Sequence, residues 1–106
     1  MTDCELLELA AKAAGVPIDL AFGLGNWVGP VSGNRFFSKW NPLTDDGDAL
    51  RLAVKLEINI LPTMEEASAR NPSYTPWVNE DGRADPYAAT RRAIVRAAAE
   101  IGKGMQ

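Results

Sequence analysis

Nothing between Pro86 and Ile101 breaks a helix, and that run limits what the chain can fold into. It reads PYAATRRAIVRAAAEI, with no internal Gly or Pro after its first residue. Asp85 supplies an N-cap oxygen, and Pro86 suits the first helical position, where no N–H is needed. Gly102 marks the expected C-terminal stop. Tyr87, Ile94, Ala98 and Ile101 fall on one face with Val95 beside it. Such a helix is stable only if that face is buried against other elements.

Two further segments have the same character. Thr2-Asp-Cys-Glu5 reads as a capping box, and Leu6, Leu9, Ala10 and Ala13 come after it at helical spacing, with Glu8 and Lys12 paired on another face. Gly15 and Pro17 stop this helix, which spans residues 3–14. In WNPLTDDGDAL, Pro42 biases Asn41 away from helix, and Thr44 or Asp45 can serve as the N-cap of a second helix. Ala49, Leu52, Ala53 and Leu56 recur at i, i+3, i+4 and i+7, so that helix spans about residues 46–56.

The intervals read as strands. A strand over Leu20–Val28, a turn at residues 29–34 and a strand over Arg35–Trp40 make a hairpin, with Gly23 and Gly25 marking a bulge. Glu57-Ile-Asn-Ile-Leu alternates as a strand does, and Pro62 ends it. TMEEASARNPS reads as a surface loop or helical turn. Thr75–Val78 is a short strand, and residues 79–82 are a turn. The expected order is α-β-β-α-β-β-α. In 106 residues, 46% of them hydrophobic, this is one α+β domain spanning residues 1–106. Its small antiparallel β-sheet is covered by three α-helices.

Composition narrows the chemistry. The chain has no histidine and one cysteine, Cys4, so histidine-based catalysis, zinc sites and an internal disulfide are ruled out. The net charge is −3, which gives no general attraction for a nucleic acid backbone. No apolar run is long enough to span a membrane, and the acidic opening MTDCE lacks the basic start of a signal peptide. A cytoplasmic location is the expectation.

Five groups of residues could still carry a function. Asp45, Asp46 and Asp48 surround Gly47, but an EF-hand register on Gly47 puts Pro42 at position one and Ala53 at position twelve. The same register on Gly82 puts Trp77 and Ala88 there. Helix capping explains these acids better than a metal does. Glu80, Asp81 and Asp85 would need a raised pKa to act as acid or base, and acids in a turn are ordinarily solvated. GLGNWVG has its third glycine one position late for a dinucleotide loop, with no helix after it. Arg92, Arg96 and Lys103, with Arg91 nearby, put positive charge on the last helix, interrupted by Glu100; a solvated face is the usual meaning. Trp27, Trp40 and Trp77 are expected at the core or its edge. An exposed one beside Phe36 or Phe37 would instead suggest an interface. The candidate interaction residues are therefore Trp40, Trp27, Trp77, Arg92 and Arg96; no catalytic, metal or cofactor residue is assigned.

The segment WNPLTDDGDALRLAVKLEI, residues 40–58, resembles a group of small phage and prophage proteins of the phage α/β/α-sandwich type. DPYAATRRAIVRAAAEIG, residues 85–102, is similar to their closing helix. The resemblance covers the central and C-terminal thirds. It implies a phage-encoded accessory protein of the host cytoplasm, with no established catalytic residue to carry over. The expected function is non-catalytic, by binding a host or phage protein. The rival classes are a carboxylate-based metal-dependent enzyme and a nucleic-acid-binding module using the last helix.

Overall fold

A computed structural model describes residues 2–16, 18–19, 27–28 and 38–105, with the strand residues before Trp40 described by backbone alone. The elements are α1 (Asp3–Ala14), β1 (Ile18–Asp19), β2 (Trp27–Val28), β3 (Ser38–Lys39), α2 (Asp46–Lys55), β4 (Asn59–Pro62), β5 (Glu66–Arg70), β6 (Val78–Asp81) and α3 (Pro86–Lys103). They form an α+β fold with antiparallel sheets, as expected. Each expected strand pair is, however, a triplet: the sheets run β1-β2-β3 and β4-β5-β6. The expected hairpin appears as Trp27 opposite Lys39 and Val28 opposite Ser38. The turn at residues 29–34, the Gly23–Gly25 bulge and Phe36 and Phe37 lie outside the described residues.

Helix α3 is the axis of the domain. It lies on β4-β5-β6, and α1 and α2 pack against it. Most of the side chains in this core are alanines, set among Leu6, Leu7, Leu52, Ile58 and Ile94. Ala10, Ala14, Ala67, Ala69, Ala93, Ala97, Ala98 and Ala99 are all buried, and Val95 is the largest side chain fully enclosed on α3. Small residues let backbones approach closely, so the packing relies on proximity more than on bulk. The extreme case is Gly102. It does not cap α3, as its position suggested; it lies within the helix, and Gly104 is the C-cap. An added Cβ at Gly102 would overlap the carbonyl oxygen of Leu9 on α1 and stand 2.8 Å from its carbonyl carbon. Tyr87, expected on the buried face, is 71% exposed; it sits in the first turn, before α3 reaches its neighbours.

The central strand β5 falls where a loop or helical turn was expected. Glu66, Ala67, Ser68 and Ala69 pair with Asp81, Glu80, Asn79 and Val78 on one side. Ala67, Ser68 and Ala69 pair with Pro62, Leu61 and Ile60 on the other. Alanine is a poor strand former, and only strands on both sides with α3 above hold this segment extended. Strand β6 likewise begins at Val78 and runs through Asn79–Asp81, which the residue types had suggested was a turn.

Both edges of this sheet are protected. The Thr63 N–H donates to Glu66 O at 3.0 Å. By antiparallel alternation Leu61 and Asn59 point their backbone groups inward, while Ile60 and Pro62 point outward. Pro62 has no N–H, so the β4 edge lacks a donor there. On the β6 edge, Arg96 donates to Asn79 O at 3.1 Å.

The ends of α1 and α2 share one hydrogen-bond pattern. After α1, Val16 N–H donates to Ala11 O and Gly15 adopts φ 70°. After α2, Ile58 N–H donates to Ala53 O and Glu57 adopts φ 53°. This is the Schellman arrangement, which favours glycine at the left-handed residue. Glu57→Gly is therefore expected to stabilise the domain by about 0.5–1 kcal/mol, the left-handed strain relieved less the entropy of a freer unfolded chain. Urea denaturation checks it, and a loss of stability would show that the Glu57 side chain contributes more than its strain takes away.

Candidate interaction surface

Each aspartate of the opening turn of α2 has a structural task. Asp45 is the N-cap and accepts from Asp48 N–H at 2.8 Å. Asp48 reaches back to Asn41 N–H at 2.9 Å and pairs with Arg51 at 2.7 Å. Asp46 pairs with Arg91 at 2.7 Å, and Arg91 also donates to Leu43 O at 2.8 Å, tying α2 to α3. Pro42 is fully buried at this corner, and Trp40 packs half-buried against the core. The cluster is a capped corner. Among the described residues no group of three or more potential metal ligands converges.

The positive stripe on α3 is matched by acids of its own chain. Arg92 pairs with Asp3 at 2.9 Å and, through Nε, with Glu80 at 3.3 Å. Arg96 pairs with the other oxygen of Glu80. Lys103 pairs with Glu100 at 3.1 Å. The two arginines clamp α1 and β6 to α3. That arrangement leaves little unmatched charge for phosphates.

The second acidic group is divided as well. Glu80 belongs to the clamp, and Asp85 caps α3 by accepting from Tyr87 and Ala88 N–H, each at 3.1 Å. Asp81 accepts from Arg83 at 2.8 Å and 3.0 Å. These hydrogen bonds from the Arg83 side chain lower its pKa from 3.8 to about 2. A general acid needs the opposite shift. Asp81 should therefore stabilise the fold above the unfolded carboxyl pKa, and lose that contribution as pH falls toward 2. In an NMR titration the Asp81 carboxyl midpoint is expected near 2, returning toward 3.8 in Arg83→Ala. An unchanged midpoint in that variant would show that Arg83 is not the cause.

That leaves the outer face of β4-β5-β6. Ile60, Ala69 and Val78 face α3, so their neighbours along each strand face away. The outward set includes Leu61 opposite Ser68, and Ser68 opposite Asn79, with Ser68 Oγ donating to Asn79 Oδ1 at 2.7 Å. Arg70 lies one step further along the same face. The register carried one pair beyond β6 sets Trp77 opposite it, and the Arg70 guanidinium lies 4.7 Å from the Trp77 ring centre. Trp77 is 42% exposed, so it lies outside the core where the sequence placed it. For Trp27, backbone pairing in β2 is described and the side chain lies outside the described residues.

The chain between Arg70 and Trp77 is fixed by Asn71. Its Nδ2–H donates to Leu56 O at 2.7 Å, and its Oδ1 accepts from Ser73 N–H at 2.7 Å and Tyr74 N–H at 3.2 Å. Thr75 Oγ1 accepts from Asn71 N–H at 2.8 Å. This turn presents Tyr74 to solvent at 75% exposure. Arg70 and Tyr74 do not stand out in the sequence. The available signal was NPSYTPW, in which two prolines frame Tyr74 and Trp77 follows the second, a pattern that fits neither a helical nor a strand period.

The class these observations define is a small α+β domain with a preformed aromatic and cationic surface. No family model, curated protein or solved structure matches the chain. No described helix is long and apolar enough to cross a membrane.

Proposed function

We propose that the chain is a non-catalytic binding module that recognises a protein partner through the outer face of β4-β5-β6, centred on Trp77. The observation that carries this is Trp77 held part-exposed beneath Arg70, with Tyr74 displayed on a turn anchored by Asn71. Exposed aromatics on a rigid frame lose little entropy on binding, and Trp, Tyr and Arg dominate protein contacts. Phage origin and action in the host cytoplasm belong to the same proposal, and are supported by the resemblance of residues 40–58 and 85–102 alone. The rival that used Arg92 and Arg96 for nucleic acid is disfavoured because both are engaged with Glu80.

The test is affinity capture from lysate of the native host with wild type, Trp77→Ala and Tyr74→Ala. Tyr74→Ala should keep its stability to within about 1 kcal/mol, since its ring is 75% exposed; Trp77→Ala also gives up the buried part of its ring and the cation–π contact, so a denaturant melt accompanies its capture to show that it is folded. Both should lose a partner that wild type retains. Retention by both variants would refute the proposed surface.

A further inference from the structure

Arg70 differs from the other described arginines. Arg51, Arg83, Arg91, Arg92 and Arg96 each meet a carboxylate of the chain. Among the described residues, Arg70 meets none. Its Nε is buried without a hydrogen-bond partner, while its guanidinium lies over Trp77. A guanidinium stacked on an indole is held in one plane, and its N–H fork then suits a carboxylate approaching edge-on. Stacking also removes part of the entropy that a mobile arginine would lose on binding. The same face carries Leu61, 56% exposed, and the adjoining turn carries Tyr74.

From this geometry we infer that the surface takes an acidic peptide segment, in which an Asp or Glu carboxylate pairs with Arg70 and an adjacent apolar side chain rests on Trp77. The inference rests on the binding-module reading and specifies the chemistry of its partner. Charge complementarity decides the occupant: the one described arginine without an acid lies against the Trp77 ring, between it and Asn59, with Leu61 on the same face, so a carboxylate beside an apolar group satisfies both. A second copy of this chain is a poorer fit. Three strands about 4.8 Å apart and some five residues long present roughly 240 Å², well below the ~800 Å² per partner of a stable interface. Addition of a strand at the β4 edge is opposed by Pro62, whose missing N–H lies on that edge.

The test titrates the intact protein with acetyl-Phe-Glu-Phe-Glu-amide and with its neutral isostere carrying Gln for Glu. NMR monitors the Trp77 indole N–H, the Arg70 Nε–H and the Tyr74 amide. The acidic peptide should shift all three signals and bind at least tenfold more tightly than the isostere. Arg70→Gln should abolish that preference with the spectrum otherwise folded, and Arg70→Lys should keep part of it. Trp77→Ala should weaken both peptides. Equal affinity for the two peptides at Trp77 overturns the acidic preference and leaves the binding module standing. A preference that survives Arg70→Gln, or no shift at these three groups at millimolar acidic peptide, also overturns it. The capture experiment on Trp77→Ala and Tyr74→Ala decides the module reading separately.

Discussion

Gly102→Ala is expected to destabilise the domain by about 3 kcal/mol or more, although it adds one methyl group to a helix and improves helix propensity. The intrinsic gain of alanine over glycine is about 1 kcal/mol. Against it stands a Cβ that overlaps the Leu9 carbonyl oxygen and lies 2.8 Å from its carbonyl carbon and 3.2 Å from its Cα. The obstacle is backbone, so no side chain can rotate away. Helix α1 or α3 must shift. Such a shift loosens the packing of Ala10, Ala14, Ala98 and Ala99, small residues that pack well only when their backbones stay close. Overpacking in cores typically costs ~1–3 kcal/mol, and a backbone obstacle belongs at or above the top of that range. Gly104→Ala is the control: its Cβ would meet nothing nearer than 3.6 Å. Urea denaturation of the two variants should separate them by several kcal/mol. Similar stabilities would mean that α1 and α3 are not in close contact at Gly102.

The helices were legible because each carries its own signals. Thr2 accepts from Glu5 N–H as the capping box required, Asp45 and Asp85 cap as their positions suggested, and Gly15 stops α1 at a positive φ. Such information is local, lying within four residues of the feature it determines. Strand β5 was not legible for the complementary reason. Nothing in Glu66-Ala-Ser-Ala-Arg prefers an extended chain, and the segment is a strand because β4, β6 and α3 surround it. Gly102 shows the same division. At the end of an apolar run a glycine looks like a stop, and only the position of Leu9, ninety-three residues earlier, makes it a contact point.

Of the interaction residues, the sequence marked Trp77 but not what surrounds it. Arg70 is one arginine among several by residue type; it stands apart only once the others are seen to be paired. Trp40 went the other way. It belongs to the buried corner with Pro42, and its proximity to three aspartates has no chemical consequence. Arg92 and Arg96 looked like an exposed basic face because Asp3 and Glu80 are distant in sequence, yet the fold brings both acids onto that face.

Asn71→Ala is expected to cost about 2–4 kcal/mol, a large effect for a loop residue. Asn71 is 6% exposed, and its side chain makes three hydrogen bonds that alanine cannot make. Two of them hold the turn that presents Tyr74. The third satisfies Leu56 O at the C-terminal end of α2, where helix carbonyls lack intrahelical donors. Each bond contributes about 1 kcal/mol, and a buried carbonyl left without a donor costs about 1–3 kcal/mol more. Asn71→Asp separates these contributions. Its carboxylate can still accept from Ser73 and Tyr74, but it cannot donate to Leu56 O and sets negative charge against that oxygen. The protonated acid can donate there, so the folded-state pKa of the new aspartate is expected to be raised. A group with a raised folded pKa stabilises the fold below the unfolded value and ceases to as pH rises through the folded one. The deficit of Asn71→Asp relative to wild type should therefore be largest near pH 7 and narrow below about pH 4, where the acid is protonated in both states. Asn71→Ala should show no such narrowing. Denaturant melts of both variants at the two pH values measure this directly. A pH-independent deficit for Asn71→Asp would mean that donation to Leu56 O is not what holds the turn to α2, and the rigidity attributed to Tyr74 would have to come from Thr75 instead.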